Sequence, residues 1–135
     1  PAERVLFTAH SLPERALERA DPYDSEARAT AAAVARCAGL VEHDFAYQSQ
    51  GFTDDRWLGP AVESRIDAYA AAGVRRMLLA PIGFVCDHTE ILFDIDVAAA
   101  EAARRRGIAL TRTASLNTSG TFIRALADIV RAAGG

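Results

Sequence analysis

Several features that mark common protein classes are scarce in this sequence of 135 residues. Its two cysteines, Cys37 and Cys86, are isolated from each other, so they cannot alone build a disulfide framework or a cysteine-rich zinc or iron–sulfur site. No apolar run approaches the roughly 18 residues that a membrane-spanning helix needs. The N-terminus also lacks the basic and apolar pattern of a signal peptide. We therefore expect a soluble protein of a reducing compartment, the cytoplasm.

A large charge of one sign is also lacking. The formal net charge is -3, with acidic and basic residues interspersed. A protein that binds nucleic acid or an anionic membrane surface usually carries a basic patch, so neither partner is expected. Half of the residues are hydrophobic, which excludes a disordered chain and predicts a globular one.

The length is that of one domain, and we assign residues 1–135 to it. The sequence has no initiator methionine and enters a strand almost at once. We expect it to be a piece excised from a longer protein.

Predicted strands and helices alternate along the chain. Short apolar runs predict strands over 4–9, 44–48, 77–84 and 108–113. Helical patterns and their capping glycines predict helices over 25–38, 60–72, 90–106 and 121–133. This alternation predicts a three-layer α/β/α fold, with a four-stranded parallel sheet between helices.

The helices are expected to bury specific apolar residues against this sheet. The first is expected to use Val34 as its main anchor. The second helix is expected to bury Val62, Ile66 and Tyr69. The third is expected to bury Ile91, Leu92, Ile95, Ala99 and Ala102, and the fourth Phe122, Leu126, Ile129 and Val130.

In such sheets ligands bind at the carboxyl ends of the strands, where the strand order reverses. For an order of 2-1-3-4, this point lies between the first and third strands. The first strand ends at His10, and the third leads into Asp87, His88 and Glu90, with Asp94 one turn further. No glycine-rich phosphate loop is present, which disfavours nucleotide binding. Imidazole and carboxylate groups instead suit a divalent first-row metal such as ferrous iron.

Each of these residues also has a structural interpretation. Asp87 and Glu90 have the spacing of a helix capping box. His10 could bond within a turn, and His88 could be a partly buried histidine. Trp57 could anchor its loop on the edge of the sheet, and Asp94 and Asp96 could be solvated acids.

The motifs nevertheless form a set that resembles the C-terminal half of ferrochelatases. In order, they are Phe7-Thr8-Ala9-His10-Ser11-Leu12-Pro13-Glu14, Tyr47-Gln48-Ser49-Gln50-Gly51, Trp57-Leu58-Gly59-Pro60, Pro81 to Asp96 and Ser115-Leu116-Asn117. The resemblance covers nearly the whole chain. It implies a chelatase-like α/β domain and insertion of ferrous iron into a porphyrin with release of two protons.

The resemblance also implies roles for individual residues. His10 and Glu90 would be the catalytic and metal-facing pair, with Asp94 continuing an acidic row and Asp87 orienting Glu90. Many relatives carry a further acid where this chain has Ala98, which puts a peripheral cation site in doubt. Contacts with the porphyrin are implied for Ser11, Trp57, Phe84, His88 and Ile91.

The motif that contains Asp87, His88 and Glu90 resembles that of one group of ferrochelatases. This resemblance implies coproporphyrin III as the substrate, with protoporphyrin IX as the second candidate. No cofactor beyond the substrate iron, and no iron–sulfur cluster, is expected. The missing N-terminal domain would form the opposite wall of the porphyrin cleft, so the isolated chain would have little activity. Two alternatives stay open: a small homodimeric cobalt or nickel chelatase, and a non-catalytic flavodoxin-like module that binds a tetrapyrrole.

Overall fold

A computed structural model describes residues 1–19, 21–51 and 53–134 of the chain. Its strands are parallel and pair in the order β2-β1-β3-β4. They are β1 (Arg4–His10), β2 (Asp44–Gln48), β3 (Arg76–Ala80) and β4 (Ala109–Arg112). The prediction of an α/β fold with a parallel sheet is confirmed. Because β2 and β3 lie on opposite sides of β1, the strand order reverses between β1 and β3.

Helices alternate with these strands as predicted. They are α1 (Tyr23–Cys37), α2 (Val62–Ala71), a π-helix (Ile91–Ala99) that continues as α3 (Ala100–Arg105), and α4 (Gly120–Gly134), with a short 3-10 helix at Glu14–Arg19. No helix in the described ranges is long and apolar enough to cross a membrane.

One face of the sheet is covered by α2, the π-helix and α3. The buried side chains of α2 are the predicted ones, Val62, Ile66 and Tyr69. They share a hydrophobic cluster with Leu6 and Leu79 of the sheet, both fully buried. This cluster holds the helices against β1 and β3, the two strands that lead into the candidate site.

The other face is covered by α1, but not through the predicted residue. Val34 is 40% exposed, whereas Ala31 and Ala35 are buried in a cluster with Phe7 of β1. The short side chains of Ala31 and Ala35 pack against the sheet, whereas the Val34 side chain is largely outside this contact. The prediction of Val34 as the anchor was wrong because it weighed side-chain size over position on the helix.

The third predicted helix, 90–106, differs in type from the prediction. Its first part is π-helical: the N–H of Ala100 bonds to the carbonyl of Ile95, five residues earlier. The buried residues recur at every fourth position. Leu92, predicted to face the core, is therefore 47% exposed. The buried side is formed by Ile91, Ile95, Ala99 and Ala103.

Strand β3 ends earlier than predicted, at Ala80. The next residue is Pro81, which has no N–H to donate to a neighbouring strand. The chain then crosses the end of β1, where the Gly83 N–H donates to the carbonyl of Thr8 at 3.0 Å. A Cβ at Gly83 would lie 2.7 Å from the Cβ of Ala9, so only glycine fits this crossing. The crossing brings the segment after β3 beside His10.

The apolar stripe of α4, formed by Phe122, Leu126, Ile129 and Val130, is not buried as predicted. Leu126, Ile129 and Val130 are 43%, 65% and 70% exposed, and no residue of α4 is buried. The sequence pattern correctly indicates an amphipathic helix, but the surface that would cover it is not provided by the described part of the chain.

Candidate functional site

His10 is the last residue of β1 and reaches the carboxyl end of the sheet. Its ring Nδ1 lies 2.5 Å from the backbone carbonyl oxygen of Ser11. A carbonyl can only accept a hydrogen bond, so Nδ1 carries a proton, and in the neutral imidazole Nε2 is the nitrogen with the free lone pair. The Tyr23 hydroxyl donates to the His10 carbonyl at 2.8 Å and holds the residue from the other side. His10 is thereby oriented with Nε2 toward Glu90.

Glu90 faces this nitrogen from the neighbouring segment. Its Oε2 lies 3.5 Å from His10 Nε2, and the two side chains are 53% and 32% exposed, respectively. Strands β1 and β3 place them at the point where the strand order reverses, as the sequence predicts. The pair can accept protons or bind a metal ion while remaining open to a ligand.

A cavity of about 400 Å³ lies beside Glu90. Asp94 lines it and accepts a hydrogen bond from the Ser49 hydroxyl, so Asp94 is not simply a solvated acid. Ala98 lines the same cavity and contributes no ligand atom there. The acidic row therefore consists of Glu90 and Asp94, with Glu63 across the cavity.

Aromatic rings continue the site from His10 along the segment after β3. The ring centroids of His10 and Phe84 are 6.2 Å apart, and those of Phe84 and His88 are 4.8 Å apart. All three side chains are partly exposed. Phe84 and His88 thus lie beside the catalytic candidate, in positions that suit contact with a flat apolar ligand.

Two residues predicted to contact substrate are buried in this structure, so those contacts stay predictions. Ser11 is 1% exposed, and its hydroxyl donates to the Leu58 carbonyl at 2.9 Å. Ile91, the first residue of the π-helix, is fully buried. Neither has surface to offer a ligand, because Ser11 ties two loops together and Ile91 joins the core.

Trp57 is partly buried in the loop that pairs with Pro13. A Cβ at Gly51 would lie 2.6 Å from Cζ2 of its ring, so the ring packs directly on the glycine backbone. Its indole Nε1 is buried with no hydrogen-bond partner among the described residues. The loop-anchor interpretation therefore describes this contact well, and a contact of Trp57 with substrate stays a prediction.

Asp87 is held by the segment that follows β4. Its carboxylate accepts hydrogen bonds from Asn117 Nδ2 at 3.0 Å and Ser115 Oγ at 2.7 Å. These bonds, together with the nearby Arg112 guanidinium, hold the pKa of Asp87 below its usual range. Their contribution to folding stability is therefore complete above the ordinary aspartate pKa. It is lost only as the pH falls through the lowered pKa of the folded protein.

The capping-box interpretation of Asp87 and Glu90 is wrong in this structure, since the Asp87 N–H donates to Asn117 Oδ1 and the Asp87 carboxylate accepts from Ser115 and Asn117 instead. Two residues of the site also escaped the sequence analysis. Gln48 is 4% exposed, lines the cavity beside Glu90 and has an unpartnered Nε2. Arg112 joins Asp87 to the π-helix. Gln48 and Arg112 are the last residues of β2 and β4, and this position at the carboxyl end of the sheet could have indicated that they belong to the site.

Across the described ranges, no three His, Cys, Asp or Glu side chains converge on a common point that could hold a metal ion. His10 and Glu90 are therefore two potential ligands rather than a complete coordination site. Such a pair suits a metal that is held briefly while other atoms supply the remaining ligands.

The family model for ferrochelatase matches residues 1–133 of the chain. Among curated proteins, the ferrochelatase of Herpetosiphon aurantiacus is 44% identical over 126 residues, which cover 93% of this chain and 41% of that protein. The ferrochelatase of Deinococcus radiodurans is 41% identical over 128 residues, with coverages of 93% and 40%. The coproporphyrin III ferrochelatase of Mycolicibacterium vanbaalenii is 39% identical over 130 residues, with coverages of 94% and 38%.

The chain thus spans only about two fifths of the length of these relatives. Among solved structures, a CbiX protein from Marinobacter aquaeolei, whose name assigns it to cobalamin (vitamin B12) biosynthesis, matches with a TM-score of 0.60 at 13% identity. The match covers 95% of this chain and 93% of that one. At this identity the likeness concerns the fold alone.

Proposed function

The chain belongs to the ferrochelatase family, and we propose that it forms the metal-facing half of an enzyme that inserts ferrous iron into a porphyrin. The observation that carries this proposal is the placement of His10 Nε2 opposite Glu90 Oε2, at 3.5 Å. Both groups lie at the carboxyl ends of neighbouring strands, where this fold class binds ligands.

The reaction needs the chemistry that these two groups supply. Two pyrrole N–H protons leave the macrocycle, and one Fe²⁺ takes their place among the four nitrogens. The Nε2 lone pair of His10 and the carboxylate of Glu90 can each accept a proton or bind the arriving ion. The hydrogen bond from Nδ1 to Ser11 keeps the basic nitrogen directed at the cleft.

Iron is a substrate in this proposal, and the chain needs no resident cofactor. Two protein ligands suffice for transfer because the porphyrin nitrogens complete the coordination. We also propose that no iron–sulfur cluster is bound. Cys37 ends α1 and Cys86 follows β3, so the two exposed thiols lie at opposite ends of the sheet. We assign the enzyme to the cytoplasm, whose reducing conditions keep such thiols free.

We propose that a second domain completes the porphyrin cleft and covers the apolar stripe of α4. Two observations support this: the chain spans about two fifths of its relatives' length, and the stripe residues Leu126, Ile129 and Val130 are 43% to 70% exposed. A helix with one apolar face is normally stable only when that face is packed.

The chain alone is expected to show almost no iron insertion, and adding the remaining domain as a separate polypeptide is expected to restore it. The double variant Leu126→Arg/Ile129→Arg should weaken this restoration at least tenfold, since each arginine places a charge in an apolar interface. Arg124→Ala, on the polar side of α4, is the control. Association is measured by sedimentation and activity by porphyrin absorbance under anaerobic conditions. Full activity of the chain alone would contradict the proposal.

Coproporphyrin III is the proposed substrate, with protoporphyrin IX second. Two curated relatives, from Mycolicibacterium vanbaalenii and Halalkalibacterium halodurans, carry the name coproporphyrin III ferrochelatase. In the full-length enzyme, kcat/KM is expected to be about tenfold higher for coproporphyrin III, which corresponds to about 1.4 kcal/mol. Steady-state rates with both porphyrins and with Fe²⁺ or Co²⁺ measure this. Equal or higher kcat/KM with protoporphyrin IX would reverse the assignment, and a preference for Co²⁺ would favour a cobalt chelatase.

A further inference from the structure

Arg112 is the last residue of β4, the edge strand of the sheet. Its side chain is 15% exposed and points toward the π-helix. Its Nε donates to Asp96 Oδ1 at 2.7 Å, and its Nη2 donates to Asp96 Oδ2 at 3.0 Å. This is a bidentate pair, the geometry in which an arginine holds a carboxylate most rigidly.

The third guanidinium nitrogen bonds to the turn that precedes the π-helix. Nη1 lies 3.2 Å from Asp87 Oδ1 and also donates to the Thr113 carbonyl at 3.1 Å and to Ser115 Oγ at 3.4 Å. Asn117 adds to this attachment, because the Asp87 backbone N–H donates to Asn117 Oδ1 at 2.9 Å. A single planar group therefore ties the turn and the π-helix to the end of β4.

Glu90 and Asp94 lie between the two attached residues, Asp87 and Asp96. In the described part of the chain, the Glu90 carboxylate has no protein partner except His10. Since no hydrogen bond from the described residues holds the Glu90 carboxylate, its position depends on the backbone between Asp87 and Asp96, the two residues bonded to Arg112. From Ile91 onward that backbone is π-helical, a rare form that is frequent at functional sites.

We propose that Arg112 is a positioning residue for iron insertion: its guanidinium, bonded to Asp87 and Asp96, sets the separation between Glu90 and His10. This inference rests on the proposed function of that pair. Arg112 itself does not contact the reacting atoms, since its donors are already used by the two carboxylates, Thr113 and Ser115. A misplacement of about 1 Å at a catalytic group commonly costs about 10²-fold in rate.

The test uses the full-length enzyme with Arg112→Ala and Arg112→Lys. Both are expected to lower kcat about 10- to 100-fold, the usual loss when a group that orients a metal-facing residue is removed. The KM for porphyrin should change less than about twofold, because ligand-binding surface is retained. Arg112→Lys should therefore have a kcat close to that of Arg112→Ala, since lysine keeps the charge but cannot form the planar fork.

Chemical rescue separates positioning from general stability. Guanidinium at low millimolar concentration is expected to raise kcat of Arg112→Ala several-fold, while equal concentrations of methylammonium or sodium chloride should not. If Arg112→Ala folds poorly, Asp96→Asn serves in its place, because it removes one attachment and leaves Asp87 bound. Arg105→Lys is the matched control, since that arginine pairs with Glu101 on the helix surface.

Glu90→Gln is measured in the same series so that two failures can be told apart. If Glu90→Gln loses activity while the Arg112 and Asp96 variants keep kcat within about twofold, the positioning role is refuted and the proposed function stands. If KM rises and kcat is retained, the positioning role is also refuted. If Glu90→Gln itself leaves iron insertion unchanged, the proposed function fails and this inference fails with it.

Discussion

Replacing His10 by alanine in the full-length enzyme is expected to lower kcat for iron insertion roughly 10²- to 10⁴-fold, the usual contribution of a positioned acid–base group. The imidazole Nε2 is the basic nitrogen that faces Glu90, at 3.5 Å, and alanine leaves no lone pair there. A porphyrin proton or an arriving Fe²⁺ would then have only the carboxylate as a partner. Anaerobic stopped-flow absorbance of the porphyrin measures the loss.

His43→Ala is the control for this substitution. His43 precedes β2 at the opposite end of the sheet, where its ring meets that of Phe7 at a centroid distance of 5.5 Å. We expect its removal to leave kcat unchanged. Equal rates for the His10 and His43 variants would remove His10 from the mechanism. Circular dichroism of both variants separates a catalytic loss from an unfolded protein.

Replacing Glu90 by glutamine is expected to lower kcat by roughly 10²-fold or more, because the amide keeps the shape of the carboxylate but neither accepts a proton at neutral pH nor carries a charge. The 53% exposure of the Glu90 side chain means that no buried charge is left unpaired. Folding stability should therefore change by less than about 1 kcal/mol, as is usual for exposed ion pairs. Thermal unfolding and steady-state kinetics measure the two effects separately.

Glu42→Gln is the matched control, since Glu42 is 77% exposed and pairs with Arg4 at the amino-terminal edge of the sheet. It should leave kcat unchanged. The double variant of His10 and Glu90 adds a further check. Because the two groups act on the same reaction centre, its loss should be smaller than the product of the single losses. Independent, fully multiplicative losses would mean that the two residues act at separate places.

The sequence predicted the parallel sheet and the place of its ligand cleft because both depend on local patterns. Short apolar runs mark strands, and the turn residues that follow them mark strand ends. Once strands and helices alternate, parallel pairing and the reversal of strand order follow from chain connectivity. The sequence therefore predicts that His10 and Glu90 lie in one cleft, but not the distance between them. The resemblance to ferrochelatases, confirmed by the family model over residues 1–133, added the chemistry.

The errors concern burial and helix type, which depend on neighbours distant in the sequence. Val34 and Leu92 have the size and polarity of core residues, yet they are 40% and 47% exposed. Leu92 lies beside the buried row Ile91, Ile95 and Ala99 rather than within it. Ser11 and Ile91 are both buried, and their contact with substrate stays a prediction.

By itself, then, the sequence determined the fold class and the family and predicted the pair His10 and Glu90, because these depend on periodicity, connectivity and motif chemistry. Only the tertiary structure decided how that pair is held. His10 and Glu90 lie 3.5 Å apart, the Gly83 N–H bonds to the Thr8 carbonyl, and Arg112 bonds to Asp96 of the π-helix. These contacts join residues from different strands and loops, and no local pattern encodes the distances between them.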